Sequence, residues 1–553
     1  MRMKKLVTFA LTCAMALSVA ACGGGATTTN TGGSKTSYPG TPDANMVTVD
    51  LRAEPPELNS ILTTDVASGD ILREVIAGLY KLDENDNPVP DLATDTQVSD
   101  DGKTYTMKLR EDAVWSNGEP VTANDFVFAY QTICKKETAS AYAFIVYENL
   151  ENGVDVYEGK KDPSELGVKA IDDYTLEVTF TSPIPYAKHL FSFASYYPMN
   201  QKAYEEIGAD NYAKDADKIV TNGAYKIAEW THDDHITLEK NTDYYNADEI
   251  KIEKVKYLMM KDSNARMNAL KAGQVDSINL TGEQVEQLSN EGVETKSYVD
   301  NGVWYLQYNT KTAGLNNAKI RQALGLAIDT QSLCDNVRKD GSLPAVGLVP
   351  TGINGANNTK YRDAAGDMIS YDADKAKKLF EEGLKEEGLT ASDVKLSLIT
   401  DDTTAAQKEA AYYQEQWKQT LGISVDVKPM PFKSRLQAMQ DGNFDIVFAG
   451  WSPDYNDPMT FLDMFVTTNG NNYGKYSSEE YDSLIEQAKS EVDVEKRQEL
   501  LIQAEQMLVS TDAPVFPLYF SVVPYAVSSK VQNMTRTGFQ EWDFTDGAEI
   551  VTK

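Results

Sequence analysis

Three side chains that could together bind a cation lie close together in the sequence, at Trp451, Asp454 and Tyr455. A carboxylate in a largely dry cleft is a good partner for an ammonium group, and an indole and a phenol supply apolar walls and ring faces that attract cations. The prolines Pro453 and Pro458 stiffen the turn that carries them. The alternative is a surface loop whose aromatic side chains only cover the edge of a sheet. The residue types therefore indicate a ligand site and leave the surface loop open.

The elements before this turn predict where it lies in the fold. Apolar patterns predict strands at 394–398, 423–427 and 444–450, with helices at 405–420 and 434–440 between them. This order predicts parallel strands covered by helices, since parallel strands need a crossover connection. In such sheets ligands bind beyond the carboxyl ends of the strands. The turn follows one of these ends directly, which favours the ligand site.

Length and charge limit the classes of function. The chain has 553 residues, which predicts two or three domains, and 41% of them are hydrophobic, as in folded globular proteins. Its 52 Lys and Arg against 84 Asp and Glu give a formal net charge of −32. We therefore do not expect the protein to bind nucleic acid, because contacts to phosphate need clustered Lys and Arg.

Sequence motifs of common catalytic sites are absent. The sequence contains no GxSxG, HExxH, Walker A or strand-led GxGxxG pattern. His232 and His235 flank an Asp-Asp turn between two strand patterns, so we expect both in solvent rather than on a metal ion. We therefore expect neither an enzyme, nor a cofactor, nor a metal site. An exported hydrolase is the least favoured alternative.

The N-terminus is typical of an exported lipoprotein. A cationic start at Met1–Lys5 precedes an apolar stretch at Leu6–Ala21, which is short for a membrane-spanning helix. The residues before Cys22 resemble the bacterial lipoprotein box, in which the cysteine becomes the lipidated (palmitoylated) first residue. Residues 1–21 are then a signal peptide and residues 22–45, rich in Gly, Thr and Ser, a flexible tether on the outer face of the cell membrane. An ordinary cleaved signal or a retained anchor is the alternative.

Two further cysteines belong to the folded body. Cys134 and Cys334 lie on predicted helices 200 positions apart, and the body contains no other cysteine. We expect two buried free thiols. A disulfide is the alternative, because exported proteins can form one.

Several sequence blocks resemble one protein family. The stretch from Lys108 to Val127, with Trp115, Gly118 and Pro120, resembles the signature of the bacterial extracellular solute-binding proteins of family 5. These are the peptide, dipeptide and nickel receptors of ABC importers. Further blocks that match are Glu54–Asn59, Thr221–Tyr225, Asn241–Tyr244, Gly273–Asp276, Ile320–Asp329 and Trp451–Leu462. The last of them is most similar to the oligopeptide-binding branch.

The resemblance implies a fold. It predicts an α/β protein with the type II periplasmic-binding-protein fold, in which two α/β lobes meet at a hinge and one lobe carries an inserted mixed α+β domain. Lobe I is expected at 46–66, 190–300 and 519–553, the inserted domain at 67–189 and lobe II at 301–518. The chain would cross between the lobes near 301–305 and 517–520.

The resemblance also implies roles for individual residues. In oligopeptide receptors of the family the Asp of the Trp-x-x-Asp-Tyr block holds the α-ammonium group of the ligand, which places Asp454 on the peptide and Trp451 and Tyr455 beside it. The strands that pair with the peptide backbone fall near 64–68 and 303–308, which adds Thr64 and Tyr305.

Three departures from the family pattern bear on the other end of the peptide. Phe432 stands where enteric members have a Trp, and Met439 and Phe448 stand where they have basic residues. Recognition of a terminal carboxylate at one fixed length is therefore not expected, and a longer or more apolar peptide is favoured.

Together with the lipoprotein signal, the resemblance implies a monomeric, lipid-anchored receptor that captures an oligopeptide between its lobes and delivers it to the membrane permease subunits of an ABC importer. One alternative is a receptor of the same fold for a nickel chelate, haem or an oligosaccharide. Another is a sensor of peptide pheromones.

Overall fold

Strands of the protein are distributed over the whole described chain. The computed structural model describes residues 37–51, 54–63 and 65–551. The strands are β1 Met46–Leu51, β2 Tyr80–Leu82, β3 Pro88–Pro90, β4 Ala93–Val98, β5 Thr104–Leu109, β6 Val168–Asp172, β7 Thr175–Thr179, β8 Tyr225–Thr231, β9 His235–Lys240, β10 Lys254–Met259, β11 Ser277–Asn279, β12 Lys296–Tyr308, β13 Leu343–Pro344, β14 Leu396–Asp401, β15 Val425–Met430, β16 Ile446–Trp451, β17 Val515–Val527, β18 Val531–Gln532 and β19 Glu549–Ile550.

Helices alternate with these strands. They are α1 Val66–Val75, α2 Ala123–Ile133, α3 Phe144–Tyr147, α4 Gly153–Tyr157, α5 Ala187–Leu190, α6 Gln201–Ile207, α7 Ser263–Lys271, α8 Gly282–Asn290, α9 Ala318–Leu326, α10 Thr330–Ser332, α11 Tyr361–Ala365, α12 Ala373–Glu387, α13 Thr404–Leu421, α14 Phe432–Gln440, α15 Met459–Leu462, α16 Glu479–Ser490 and α17 Val494–Gln506. None of these described helices has the length and apolar character needed to cross a membrane.

One sheet of eleven strands joins two lobes. Its order is β15-β14-β16-β12-β17-β11-β1-β10-β9-β8, and β13 pairs with β17 outside this path. We call the half from β11 to β8 lobe I and the half from β15 to β16 lobe II, each with the helices that cover it. The two 13-residue strands β12 and β17 pair antiparallel and run through both halves. The two-lobed α/β architecture expected from the sequence is confirmed.

Lobe II contains the predicted β-α-β-α-β segment. Strand β14 pairs in parallel with both β15 and β16, and α13 and α14 make the crossovers. The carboxyl ends of the three strands, at Asp401, Met430 and Trp451, therefore lie on one edge of the sheet. The turn that follows Trp451 begins on this edge.

A separate antiparallel sheet lies within the range predicted for the inserted domain. Its order is β4-β5-β7-β6, and α2 packs against it. The helix begins after Thr122, because the Asp125 carboxylate accepts a hydrogen bond from the Thr122 N–H at 2.7 Å and closes a capping box.

The paired strands β12 and β17 are irregular where they pass between the lobes. Their register shifts between Val299 and Val303, and Asn301 has a φ of 56° there. The Asn301 side chain lies between two glycines, since a Cβ added to Gly352 or Gly538 would come within 1.8 or 2.2 Å of its amide atoms. The predicted crossing at 301–305 therefore overlaps this irregular stretch.

The start of the described chain is bound to lobe I. The Thr41 N–H donates to Asp276 Oδ1 at 2.8 Å, and the Ser529 N–H donates to the carbonyl of Tyr38 at 2.9 Å. The prediction of a flexible tether through residue 45 is therefore wrong for residues 38–41, which we call the N-terminal strap. Cys22 and the signal peptide lie outside the described residues.

Both cysteines of the body are buried and free. The prediction of two unpaired thiols at Cys134 and Cys334 is confirmed. Each sits in a different part of the fold, Cys134 at the end of α2 and Cys334 after α10, so neither is a partner for the other.

Candidate functional site

A cavity of about 370 Å³ lies between lobe II and the segment 67–189, which we call the inserted domain after its prediction. Its volume is within the range typical of small-molecule sites. One wall comes from segments 144–149 and 181–186, and the other from segments 451–471 and 486–497. Of the residues that the sequence singles out, Trp451, Asp454 and Tyr455 line it. The structure thus brings the predicted triad to one concave surface.

Asp454 is the central polar group of this cavity. The Tyr142 hydroxyl donates to Asp454 Oδ1 at 3.1 Å, and the Asp454 N–H donates to Thr460 Oγ1 at 3.3 Å. Within the described ranges, no Lys or Arg forms an ion pair with the carboxylate. Burial raises the pKa of Asp454, the hydrogen bond from Tyr142 lowers it and the charge of Asp463 raises it, and together they bring this pKa to about 7.

Tyr142 holds its proton next to this carboxylate. The charge of Asp454 raises the pKa of Tyr142 well above its usual value, and burial adds to the effect. The phenol therefore stays a donor over the whole physiological pH range. A donor on one side of Asp454 leaves the remaining lone pairs of the carboxylate for a ligand cation.

Aromatic contacts fix the turn that carries Asp454. The Trp451 Nε1–H donates to Thr460 Oγ1 at 3.4 Å, which is the same oxygen that accepts from the Asp454 N–H. The ring of Tyr455 stacks on the ring of Tyr186 with centroids 4.3 Å apart and planes 6° apart. Since Tyr186 belongs to the segment of the inserted domain that walls the cavity, this stack joins the two sides of the site.

A buried ion pair supports the same junction. Two nitrogens of Arg497 donate to the two carboxylate oxygens of Asp457, each at 2.8 Å. The guanidinium carbon lies 5.7 Å from the centroid of the Tyr186 ring. The positive charge of Arg497 is therefore neutralised within the protein.

The other predicted ligand residues lie elsewhere. Phe432, at the start of α14, is 60% exposed, with the Arg435 guanidinium 5.2 Å from its ring centroid. Met439, Phe448 and Tyr305 are buried, and Phe448 packs against Trp304 and Tyr413. Phe432, Met439, Phe448 and Tyr305 do not line the cavity around Asp454. Thr64 lies outside the described residues, and the roles of these five positions stay predictions.

Four residues of the site were not found from the sequence. Tyr142, Tyr186, Thr460 and Asp463 contact the triad or line the cavity with it. Thr460 and Asp463 lie within ten residues of Asp454, so a search of the same turn could have found them. The two tyrosines lie more than 250 positions earlier, and nothing in the local sequence marks them.

The histidine pair differs from its prediction. His232 is half-exposed and lies between Glu54 and Asp215, with ring nitrogens 2.7 and 3.1 Å from their carboxylate oxygens. His235 is only 8% exposed, so the prediction that both lie in solvent is wrong for this residue. The reason is that the His235 ring is covered by the carboxylates of Glu229 and Asp234, which lie 3.2 and 2.5 Å from its nitrogens. In the described part of the chain, no group of three His, Cys, Asp or Glu is arranged to hold a metal ion.

Comparisons of the sequence and of the structure with known proteins all point to one family of solute-binding proteins. The family model of the bacterial extracellular solute-binding proteins, family 5 Middle, matches residues 87–473. The oligopeptide-binding protein OppA of Bacillus subtilis is 33% identical over 548 residues, which cover 97% of each chain. The solved structure of Listeria monocytogenes OppA bound to peptide is 34% identical, with a TM-score of 0.79, and covers 92% of this chain and 99% of that one. The Haemophilus influenzae OppA complex with RPPGFSPFR is 30% identical, with a TM-score of 0.79 and the same shares of the two chains.

Proposed function

Because the chain belongs to the bacterial extracellular solute-binding proteins of family 5, we propose that it is a receptor that captures an oligopeptide between its lobes and delivers it to an ABC importer. Similar proteins support this proposal, since one similar structure holds a peptide and another holds RPPGFSPFR. The predicted attachment on the outer face of the membrane fits a family of extracellular proteins.

The observation that carries the proposal is the state of Asp454. Its carboxylate lies in a cavity between lobe II and the inserted domain, accepts a hydrogen bond from Tyr142, and forms no ion pair within the described ranges. A buried anion without a cation costs free energy, and a charge-assisted hydrogen bond with an ammonium group recovers it. The α-ammonium group of a peptide supplies that cation.

Main-chain hydrogen bonds supply the rest of the affinity. A peptide that lies along strand edges in the cleft pairs its backbone with the protein and leaves its side-chain sequence free. A dissociation constant of about 1 μM corresponds to about −8 kcal/mol. One ammonium–carboxylate bond and several backbone bonds are sufficient for this after the cost of desolvation. The two segments predicted to pair with the peptide are not free strand edges, because residues 66–68 belong to α1 and residues 303–308 already pair with β16 and β17. Another stretch of main chain in the cleft therefore pairs with the peptide, and Phe432 lines the cleft further along.

Membrane attachment and transport complete the proposal. Lipid on Cys22 holds the receptor on the outer face of the membrane as a monomer. Ligand shifts an equilibrium between open and closed lobes, and the membrane subunits of the importer bind the closed form. Metabolic labelling with palmitate, lost in Cys22→Ala, tests the anchor.

Isothermal titration calorimetry tests the role of Asp454. The protein without residues 1–22 is titrated with a pentapeptide that has a free amino terminus and with the same peptide acetylated. Asp454→Asn is expected to weaken binding of the free peptide at least tenfold and to change little for the acetylated one. Asp426→Asn, an exposed carboxylate on β15, is the matched control and is expected to leave both unchanged.

Two outcomes would contradict different parts of the proposal. Equal affinity of wild type and Asp454→Asn for the free peptide would remove Asp454 from the ligand site but keep the peptide receptor. Absence of binding for every peptide, together with a different solute in a mass spectrum of the material that copurifies, would overturn the peptide function itself.

A further inference from the structure

The charges around the cavity are strongly unbalanced. Four carboxylates line it, and two cations, Lys489 and Arg497, line it with them. Arg497 is held by Asp457, which accepts both of its hydrogen bonds. Lys489 is therefore the one lining cation that no buried carboxylate holds. A single α-ammonium group at Asp454 would leave most of this negative charge uncompensated.

Asp463 is the second deep carboxylate of the cavity. It follows α15 at the first position of a short turn of helix and lines the cavity together with Asp454. In the described part of the chain its carboxylate receives no hydrogen bond and forms no ion pair, although Lys489 is near enough to act on its charge. Burial raises the pKa of Asp463 to about 6, while Lys489 lowers this pKa and Glu148 raises it.

The remaining two carboxylates lie where the cavity meets solvent. Glu148 and Glu486 are exposed residues that still line it, one on the side of the inserted domain and one on α16. The cavity is thus negative from its mouth to its base. Such a field concentrates cations and orients a ligand that carries more than one of them.

The walls suit a long aliphatic stem. Phe144 and Ile145 line the cavity from the inserted domain, and Met464 lines it from lobe II next to Asp463. Lys and Arg side chains bury their methylene groups on apolar surface while the charged end reaches a polar group. A neutral side chain of the same length would fill these walls but would leave Asp463 without a partner.

We propose that the cavity selects oligopeptides whose first residue is Lys or Arg, with the α-ammonium group on Asp454 and the side-chain cation on Asp463. This proposal rests on the proposed function and adds a specificity to it. The acidic mouth formed by Glu148 and Glu486 attracts the doubly charged end of the peptide. In the competing arrangement, the Lys489 ammonium group pairs with Asp463. The pocket would then not distinguish a charged first side chain from a neutral one.

Calorimetry with four pentapeptides tests the proposal. The peptides differ only in the first residue, which is Lys, Arg, norleucine or Glu, and the protein is the full chain without residues 1–22. Wild type is expected to bind the Lys and Arg peptides at least tenfold more tightly than the norleucine peptide, and the Glu peptide most weakly. Norleucine is the matched probe, because it keeps the stem of Lys and removes the charge.

Two variants assign the preference to Asp463. In Asp463→Asn the advantage of Lys over norleucine is expected to fall below twofold, while the affinity for the norleucine peptide changes less than twofold. In Lys489→Met the advantage of Lys is expected to grow, because the competing cation is gone. This second variant keeps the test decisive if Asp463→Asn does not fold.

The outcomes separate this proposal from the one before it. Equal affinities of wild type for the Lys and norleucine peptides would overturn the specificity and leave a peptide receptor. A preference for Lys that survives in Asp463→Asn, or that is unchanged in Lys489→Met, would overturn the assignment to this pocket. Failure of all four peptides to bind would instead overturn the peptide function.

Discussion

Peptide affinity is expected to follow the ionisation of Asp454. The carboxylate has a pKa of about 7 in the free protein because it is buried without a cation, and an ammonium ligand binds only its ionised form. Below this pKa the observed affinity then falls tenfold per pH unit. From this ionisation alone, the loss between pH 8 and pH 5 is about 100-fold, or about 2.7 kcal/mol.

The ligand adds a second ionisation. The α-amino group of a peptide has a pKa of about 8, so its cation is lost at higher pH and the affinity falls again. The groups that face Asp454 are Tyr142, which stays protonated, and Asp463, whose pKa is about 6. A peptide with norleucine first keeps Asp463 out of the contact. Affinity is therefore expected to be highest between about pH 7 and 8.

Calorimetry measures this effect in two independent ways. The first is the dissociation constant of the norleucine peptide from pH 5 to pH 9. The second is proton release, obtained from titrations in buffers that differ in their enthalpy of ionisation. At pH 6 about nine in ten free molecules carry a protonated Asp454, so binding is expected to release about 0.9 proton.

The control variant is Asp454→Asn, whose side chain does not titrate. Its affinity is expected to be weak and nearly constant below pH 7, with no proton released. A wild-type affinity that stays the same from pH 8 to pH 5 would refute the reasoning. So would a variant that keeps the pH profile of the wild type, because the titrating group would then be another one.

Three further predictions concern stability and reactivity. In urea at pH 8, Asp454→Asn is expected to raise the free energy of unfolding of the ligand-free protein by about 2–4 kcal/mol, because ionising a carboxyl whose pKa rises on folding destabilises the folded protein. This gain should shrink by more than half at pH 5, and an equal gain at both pH values would contradict the assignment. Arg497→Met is expected to cost about 3–5 kcal/mol in the same assay because it leaves Asp457 buried without its partner, and adding Asp457→Asn should recover part of the loss. Burial raises the pKa of both Cys134 and Cys334 to about 12, so in protein without residues 1–22 a thiol reagent is expected to modify both only after unfolding, and fast reaction of native protein would contradict their burial.

Local sequence determines those parts of the fold whose partners are close along the chain. The helix start at Thr122 follows from a carboxylate three residues later. The parallel strands β14, β15 and β16 follow from apolar runs separated by helix-length segments. The turn at Trp451–Tyr455 lies where the strand order places it, because β16 ends at Trp451.

Contacts between distant segments could not be predicted in this way. Tyr142 lies 312 positions before the carboxylate it binds, and a lone tyrosine carries no mark of such a partner. Resemblance to a family locates a position but not the direction of its side chain, and it gave no sign that Phe448 packs against Tyr413. His235 illustrates a further limit, since a turn pattern does not say that the side chains of Glu229 and Asp234 cover this ring.

The N-terminal strap has a mechanical consequence. Tyr38 and Thr41 are hydrogen-bonded to Ser529 and Asp276, so a force applied to the chain before residue 38 is transmitted first to lobe I. The opposite lobe carries Asp454 and bears none of that load directly. With the lipid anchor proposed on Cys22, this strap would transmit the load of the anchor to lobe I and leave lobe II free to move as ligand enters or leaves the cleft.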